Sequence, residues 1–285
     1  MPGKRITKSK TRAMALRAAA ALALFYLLLC LGCASFQRRL IYFPPVFDST
    51  TADQLAQPAH LERWLDPSGR VIGWKRMYRI QPAKGEAVVI HGNACAAVQC
   101  ALFADAIQQA APLDVFILEF PGYGDRPGKP TEKSIEAAAA EAMACLATNS
   151  PVIVVGESLG TGVAAYVAGQ CPDRVAGLVL FAPYSSLTDV GQWHMPILPV
   201  HLLLADRFPA KTFLRNYHGP VAMLVGGTDP VVPEKFGRRL FEGYDGPKRL
   251  WEFPDENHGT VMLQPPQIWT ELLDFLGASL HSPKS

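Results

Sequence analysis

From Ala18 to Phe36 the chain carries no charged side chain, and beyond Arg38 its pattern changes. Short apolar runs bounded by Gly, Pro, Asn and Asp then alternate with stretches of helical periodicity. The runs predict strands at 71–80, 87–90, 115–120, 152–155, 175–181, 221–225 and 250–253. The periodic stretches predict helices near 96–109, 131–147, 159–169, 234–241 and 267–280. The strands are continuously hydrophobic, as expected where both faces of a sheet are covered. Alternation of such strands with helices implies an α/β class with a mostly parallel sheet and right-handed crossovers. The pattern alone does not choose among the doubly wound folds.

As a helix, the uncharged segment Ala18 to Phe36 would extend about 28 Å, close to the hydrocarbon thickness of a bilayer. Lys4, Arg5, Lys8, Lys10, Arg12 and Arg17 precede it without an acid, as in a secretory signal or signal anchor. Residues 1–36 are therefore expected to be an export or anchor segment, and 37–285 one domain. Retention of positive charge on the cytoplasmic side would turn that domain outward, into the periplasm of a bacterium. The stretch L-C-L-G-C resembles a bacterial lipoprotein cleavage site, which implies lipidation of Cys33; an uncleaved anchor is the alternative.

The formal charge is +2 over the chain, and six basic residues put +6 in residues 1–32, which leaves −4 on the rest. A mildly acidic body without a basic stripe excludes nucleic acid as an expected partner. Cys95 and Cys100 stand five apart near one predicted helix, a spacing expected to suit a mutual bridge poorly. No His/Cys cluster suggests a metal, and no motif implies an organic cofactor.

The chemistry concentrates in four segments. Gly156-Glu157-Ser158-Leu159-Gly160 lies between a buried strand and a helix rich in small residues. A sharp strand-to-helix turn there would hold Ser158 in a strained conformation, clear of the sheet and near a helix N-terminus. I-H-G-N-A ends an earlier strand. Acyl transfer needs backbone N–H donors for the oxyanion, and Leu159 and Asn93 are the candidates. His91 is expected to shape that loop rather than to catalyse. L-V-G-G-T-D-P-V-V-P presents Asp229 after a strand, and F-P-D-E-N-H-G-T presents His258 after the last one. Imidazole can take a serine proton when a carboxylate fixes its tautomer. Asp255 and Glu256 are reserve acids, too close to His258 for first choice, and His281 lies in a polar tail.

The succession H-G-N-A, G-E-S-L-G, G-T-D-P-V-V-P and N-H-G resembles α/β-hydrolase-fold serine hydrolases. The resemblance is closest to a small subgroup with an anchored N-terminus followed by a stretch like R-R-L-I-Y-F-P-P, here Arg38 to Pro45. It implies an eight-stranded sheet with one antiparallel strand near its start, and a triad of Ser158, Asp229 and His258. E-F-P-G-Y-G-D (Glu119 to Asp125) is similar to a loop that helps wall the site in this group. Relatives include acyl-protein thioesterases, whose cysteine-rich lipidated N-terminus is not reproduced here.

Residues 184–218 depart from simple alternation and are expected to form a cap. Trp193, Met195, Ile197, Leu198 and Leu202 to Leu204 offer an apolar surface for an acyl chain, or simply pack the cap. The expected activity is cleavage of a carboxylic ester or thioester, the substrate being a small or lipid-like acyl ester. A peptidase or acyltransferase would use the same triad. A non-catalytic envelope binding protein on this scaffold is the alternative from another class.

Overall fold

The computed structural model describes residues 5–80, 82–147 and 150–280; Lys4 and His281 lie outside this range. The first element is α1, Arg5–Ile41, a single uninterrupted helix of 37 residues. Its stretch Lys10–Ile41 is long and apolar enough to cross a membrane, and almost none of it is buried against the rest of the chain.

An eight-stranded sheet follows, built from β1 (Glu62–Leu65), β2 (Val71–Arg76), β3 (Gly85–Ile90), β4 (Leu113–Leu118), β5 (Val152–Glu157), β6 (Val175–Phe181), β7 (Val221–Gly226) and β8 (Lys248–Phe253). The order is β1-β2-β4-β3-β5-β6-β7-β8. β2 runs antiparallel to both neighbours, and all other pairings are parallel. β3, β5 and β7 are buried at every position, which explains their unbroken apolar sequences.

The covering helices are α2 (Ser49–Ala56), α3 (Ala101–Ala110), α4 (Glu132–Ala144), α5 (Leu159–Gln170), α9 (Glu234–Glu242) and α10 (Pro266–Leu280). α3 packs on α10 and α4 on α5, so both faces of the sheet are clothed. Phe103 meets Phe181 and Trp269 edge-on where α3, β6 and α10 converge, with centroids 5.6 and 6.1 Å away. Such pairs add about 0.5–1.5 kcal/mol each beyond burial. The cap carries α6 (Leu187–His194), α7 (Val200–Leu203) and α8 (Ala210–Phe213), within the span 184–218 expected for it.

Three local expectations are revised. The strand at 71–80 stops at Arg76, because Tyr78 already gives its N–H to the Asp114 side chain instead of the ladder. The edge strand β1 has two charged residues and was not legible as a strand. The helix near 96–109 opens as a 3₁₀ turn, Ala97–Cys100, after an extended Ala96. That turn folds the chain back and brings the sulfurs of Cys95 and Cys100 to 3.0 Å, against the expectation from their spacing.

The C-terminal part of α1 is fastened to the cap. Gln37 donates to Leu203 O (3.1 Å) and accepts from Ala205 N (2.7 Å). Arg38 Nε donates to the buried Asp206 carboxylate at 3.0 Å, and the Tyr42 hydroxyl donates to it at 3.1 Å. Higher on the helix, the Tyr26 hydroxyl donates to Ile197 O at 2.8 Å.

Candidate active site

Ser158 sits between the end of β5 and the first residue of α5 with φ 49° and ψ −114°, a left-handed conformation costly for a residue with a Cβ. Two close approaches hold it there. A Cβ on Gly156 would lie 2.8 Å from Gly160 O, and one on Gly160 would strike the carbonyls of Ile90 and His91. The helix therefore starts directly against the β3 loop, and glycine is needed at both positions. Ser158 N–H is held by Phe181 O at 2.9 Å, and Ser158 O accepts from the Thr161 hydroxyl at 2.6 Å.

The loop after β3 is fixed from below. His91 is fully buried; its Nδ1 lies 2.7 Å from Gly92 O and its Nε2 3.1 Å from Glu119 Oε1. Burial works to lower the His91 pKa, but the bond to Glu119, its charge and the Gly92 carbonyl together outweigh burial and the net shift is upward. Glu119 Oε2 also accepts from Ala97 N at 3.0 Å. His91 is thus a structural residue of the loop, as its position before the serine suggests. The neighbouring Glu157 carboxyl is raised, chiefly by burial and against the charges of His91 and His258.

Asn93 uses its side chain for scaffolding. Its Oδ1 accepts from the Tyr123 hydroxyl (2.7 Å) and from Phe43 N (3.0 Å), and its Nδ2 donates to Ile41 O. The backbone N–H groups of Asn93 and Leu159 have no hydrogen-bond partner among the described residues. Tyr123 belongs to the E-F-P-G-Y-G-D loop, so that segment supports the site through Asn93. The part played by Ile41 and Phe43 of the N-terminal region had no signal in the sequence.

Asp229 and His258 come together. His258 Nδ1 lies 2.7 Å from Asp229 Oδ2, with the carboxylate wholly buried and the ring partly exposed. Asp229 Oδ1 accepts from Val231 N and Val232 N, both at 2.8 Å. Among the described residues neither Asp255, which is exposed, nor Glu256 is hydrogen-bonded to the ring, so of the three acids considered it is Asp229 that meets His258. Among the described residues no hydrogen bond joins Ser158 Oγ to His258.

Ser158, Leu159 and Asn93 open into one cavity of about 340 Å³ with an almost wholly apolar lining. Its other walls come from α6, from the segment Leu198–Leu204 and from the α1 residues Cys33, Ala34, Gln37, Leu40 and Ile41. Among the described residues no group of three or more His, Cys, Asp or Glu side chains is placed to hold a metal ion.

Comparison with known proteins agrees with this architecture. The family described as "alpha/beta hydrolase fold" matches residues 88–216. The uncharacterized protein Rv2307c of Mycobacterium tuberculosis is 34% identical over 243 residues, covering 80% of this chain and 85% of that one. The uncharacterized membrane protein YNL320W of Saccharomyces cerevisiae is 28% identical over 184 residues, covering 61% and 64%. Among solved structures, the Pyrococcus furiosus esterase Pf2001 superposes with a TM-score of 0.62 at 15% identity, over 84% of this chain and 97% of that one. A sheet of this order, an elbow at its carboxyl edge and a relative matched over most of its length together show that the chain belongs to the α/β-hydrolase family.

Proposed function

We propose that the chain is a serine hydrolase that cleaves carboxylic esters or thioesters through an acyl-enzyme on Ser158. The observation that carries this reading is the Asp229–His258 hydrogen bond at 2.7 Å, in a fold whose elbow presents Ser158 to an apolar cavity. Asp229 fixes the tautomer with Nδ1 protonated and Nε2 free to accept. His258 then takes the Ser158 proton as the hydroxyl attacks the carbonyl, and returns it to the leaving group. The N–H groups of Asn93 and Leu159 stabilise the oxyanion, to which each donor contributes about 3 kcal/mol. Water repeats the sequence and releases the acid.

The same reading makes α1 a membrane anchor, with the body outward by the charge of residues 5–17. An uncleaved anchor is favoured over lipidation of Cys33. Cys33 lines the cavity, where a lipid on its sulfur would compete with substrate.

The test is Ser158→Ala in the full-length chain. Hydrolysis of p-nitrophenyl esters and labelling by a fluorophosphonate should both disappear. Retention of wild-type turnover in the variant would refute the reading, and labelling of the unmutated chain without ester turnover would favour the binding-protein alternative.

A further inference from the structure

The cavity has an unusual wall. One side of it belongs to α1, the same helix whose preceding residues are apolar and exposed. From Ile41 to Cys33 the helix climbs eight residues, or about 12 Å along the cavity. The Ile41 end is at the oxyanion loop, because Asn93 Nδ2 donates to Ile41 O. The Cys33 end is the one that continues into the membrane-length segment. The long axis of the cavity therefore runs from the reaction centre toward the bilayer side of the molecule.

The cap follows the helix in the same direction. Tyr26 reaches Ile197 O at 2.8 Å, so the loop 195–198 lies beside α1 well inside the uncharged stretch Ala18 to Phe36. Its side chains suit that location: Ile197 is 78% exposed, and Met195 and Leu202 of the same cap are exposed too. Apolar groups so displayed, next to a helix of membrane-spanning length, belong in hydrocarbon rather than water. A water-facing mouth would leave both surfaces uncovered.

Resting on the serine-hydrolase reading above, we infer that the cavity takes the acyl chain of an amphiphile resident in the bilayer, laid along α1 with its tail toward the membrane and its carbonyl at Ser158. A 12 Å wall matches about nine methylenes of extended chain at roughly 1.25 Å each. The substrate class is an ester or thioester of a fatty acid of that length or longer. It enters sideways between α1 and the cap lip, so the anchor helix is part of the binding site as well as a tether. Ala34 and Leu40 act on chain length, and no residue of α1 takes part in the bond-breaking step.

The experiment uses the full-length Ser158→Ala protein in phosphatidylcholine vesicles with decanoyl esters, whose chain matches the wall of about 12 Å, that carry a photoreactive diazirine. A diazirine at the chain terminus should give adducts on residues 33–37. One next to the carbonyl should give them on Leu159 or Val232. Excess unlabelled decanoyl ester should suppress both, whereas contacts with surrounding lipid on residues 10–32 would persist. In the active chain, Ala34→Trp should lower the ratio of kcat/KM for decanoyl over acetyl p-nitrophenyl ester by about tenfold or more. Adducts confined to 10–32, adducts in the reverse order, or cross-links that join α1 of two copies would overturn the inference. So would an unchanged chain-length ratio in the Ala34→Trp enzyme. Failure of the hydrolase reading is separate: the wild-type chain would neither label with fluorophosphonate nor turn over any ester, while the adduct pattern would still report where a chain binds.

Discussion

Asp229 gives one carboxylate oxygen to His258 Nδ1 at 2.7 Å and the other to the backbone of Val231 and Val232 at 2.8 Å. The two backbone donors leave the carboxylate no rotational freedom, so the ring it holds is oriented by the protein and not by solvent. Asp229→Asn keeps the shape but can present an N–H to Nδ1, which favours the wrong tautomer. Ester turnover should fall by about three to four orders of magnitude, with the circular dichroism spectrum and melting temperature little changed. Steady-state kinetics on the purified full-length variant measures this directly.

A second consequence concerns pH. The folded pKa of His91 is raised above its ordinary value of 6.5: burial is the largest single effect and opposes the charge, but the bond to Glu119, its charge and the Gly92 carbonyl together outweigh it. A raised pKa means that this residue's contribution is complete below the unfolded value and is lost as pH rises through the folded one. The charged and titratable groups around the ring include Glu119, Cys95, Glu157 and Tyr123, whose ring lies 5.5 Å from the imidazole. Stability measured by denaturant should therefore decline as pH climbs past the His91 transition. Glu119→Gln should flatten that limb and cost about 3–5 kcal/mol at the lower pH, since it leaves a buried imidazolium unpaired.

The parallel strands and the helices between them were readable because each is a run of apolar residues ended by a turn residue. β1 was not, because Glu62 and Arg63 mark it as polar and only Trp64 of its four residues is buried. α2 was missed for its small size; its start is set by Asp48, whose side chain accepts from Thr51 N at 2.7 Å. The four segments were readable one by one, because the turn at Ser158, the loop after β3 and the loops of Asp229 and His258 each follow a strand. The role of α1 in the cavity was hidden. Spacing within a uniformly apolar helix does not say which of its faces meets the body, and the contacts that decide it lie more than 160 residues away, at Leu203 and Asp206.

Those contacts can be weighed singly. Arg38 is more than half exposed, so its pair with Asp206 is partly screened, and Arg38→Ala should cost only about 0–1 kcal/mol. Asp206 is buried and also receives the Tyr42 hydroxyl, whose pKa is pushed up first by burial and then by this carboxylate. Asp206→Ala leaves the buried Tyr42 hydroxyl without its acceptor, while water can take over Arg38, and should cost about 1–3 kcal/mol. Hydrogen exchange should report the loss as faster exchange in residues 37–43 and 200–206, with β5 and β6 unaffected.

The last expectation is covalent. Cys95 and Cys100 carry free thiols whose sulfurs stand 3.0 Å apart, and the Cys95 thiol is held below its ordinary pKa, first by its bond to Cys100 and then by the nearby His91. A low-pKa thiol beside a second sulfur is the arrangement that attacks an added disulfide and is then resolved by its neighbour. Oxidised glutathione should therefore convert the pair to a disulfide, with the two electrons passing to glutathione as two equivalents of its thiol and the protein losing two hydrogens in mass. Cys95→Ser should abolish the mass change, and Cys100→Ser should stop at the mixed disulfide. Because Ala94, at φ 58°, links this pair to Asn93, closing the bond should stiffen the oxyanion loop. The readout is a change in kcat of less than about tenfold that dithiothreitol reverses in the wild-type chain and not in either variant.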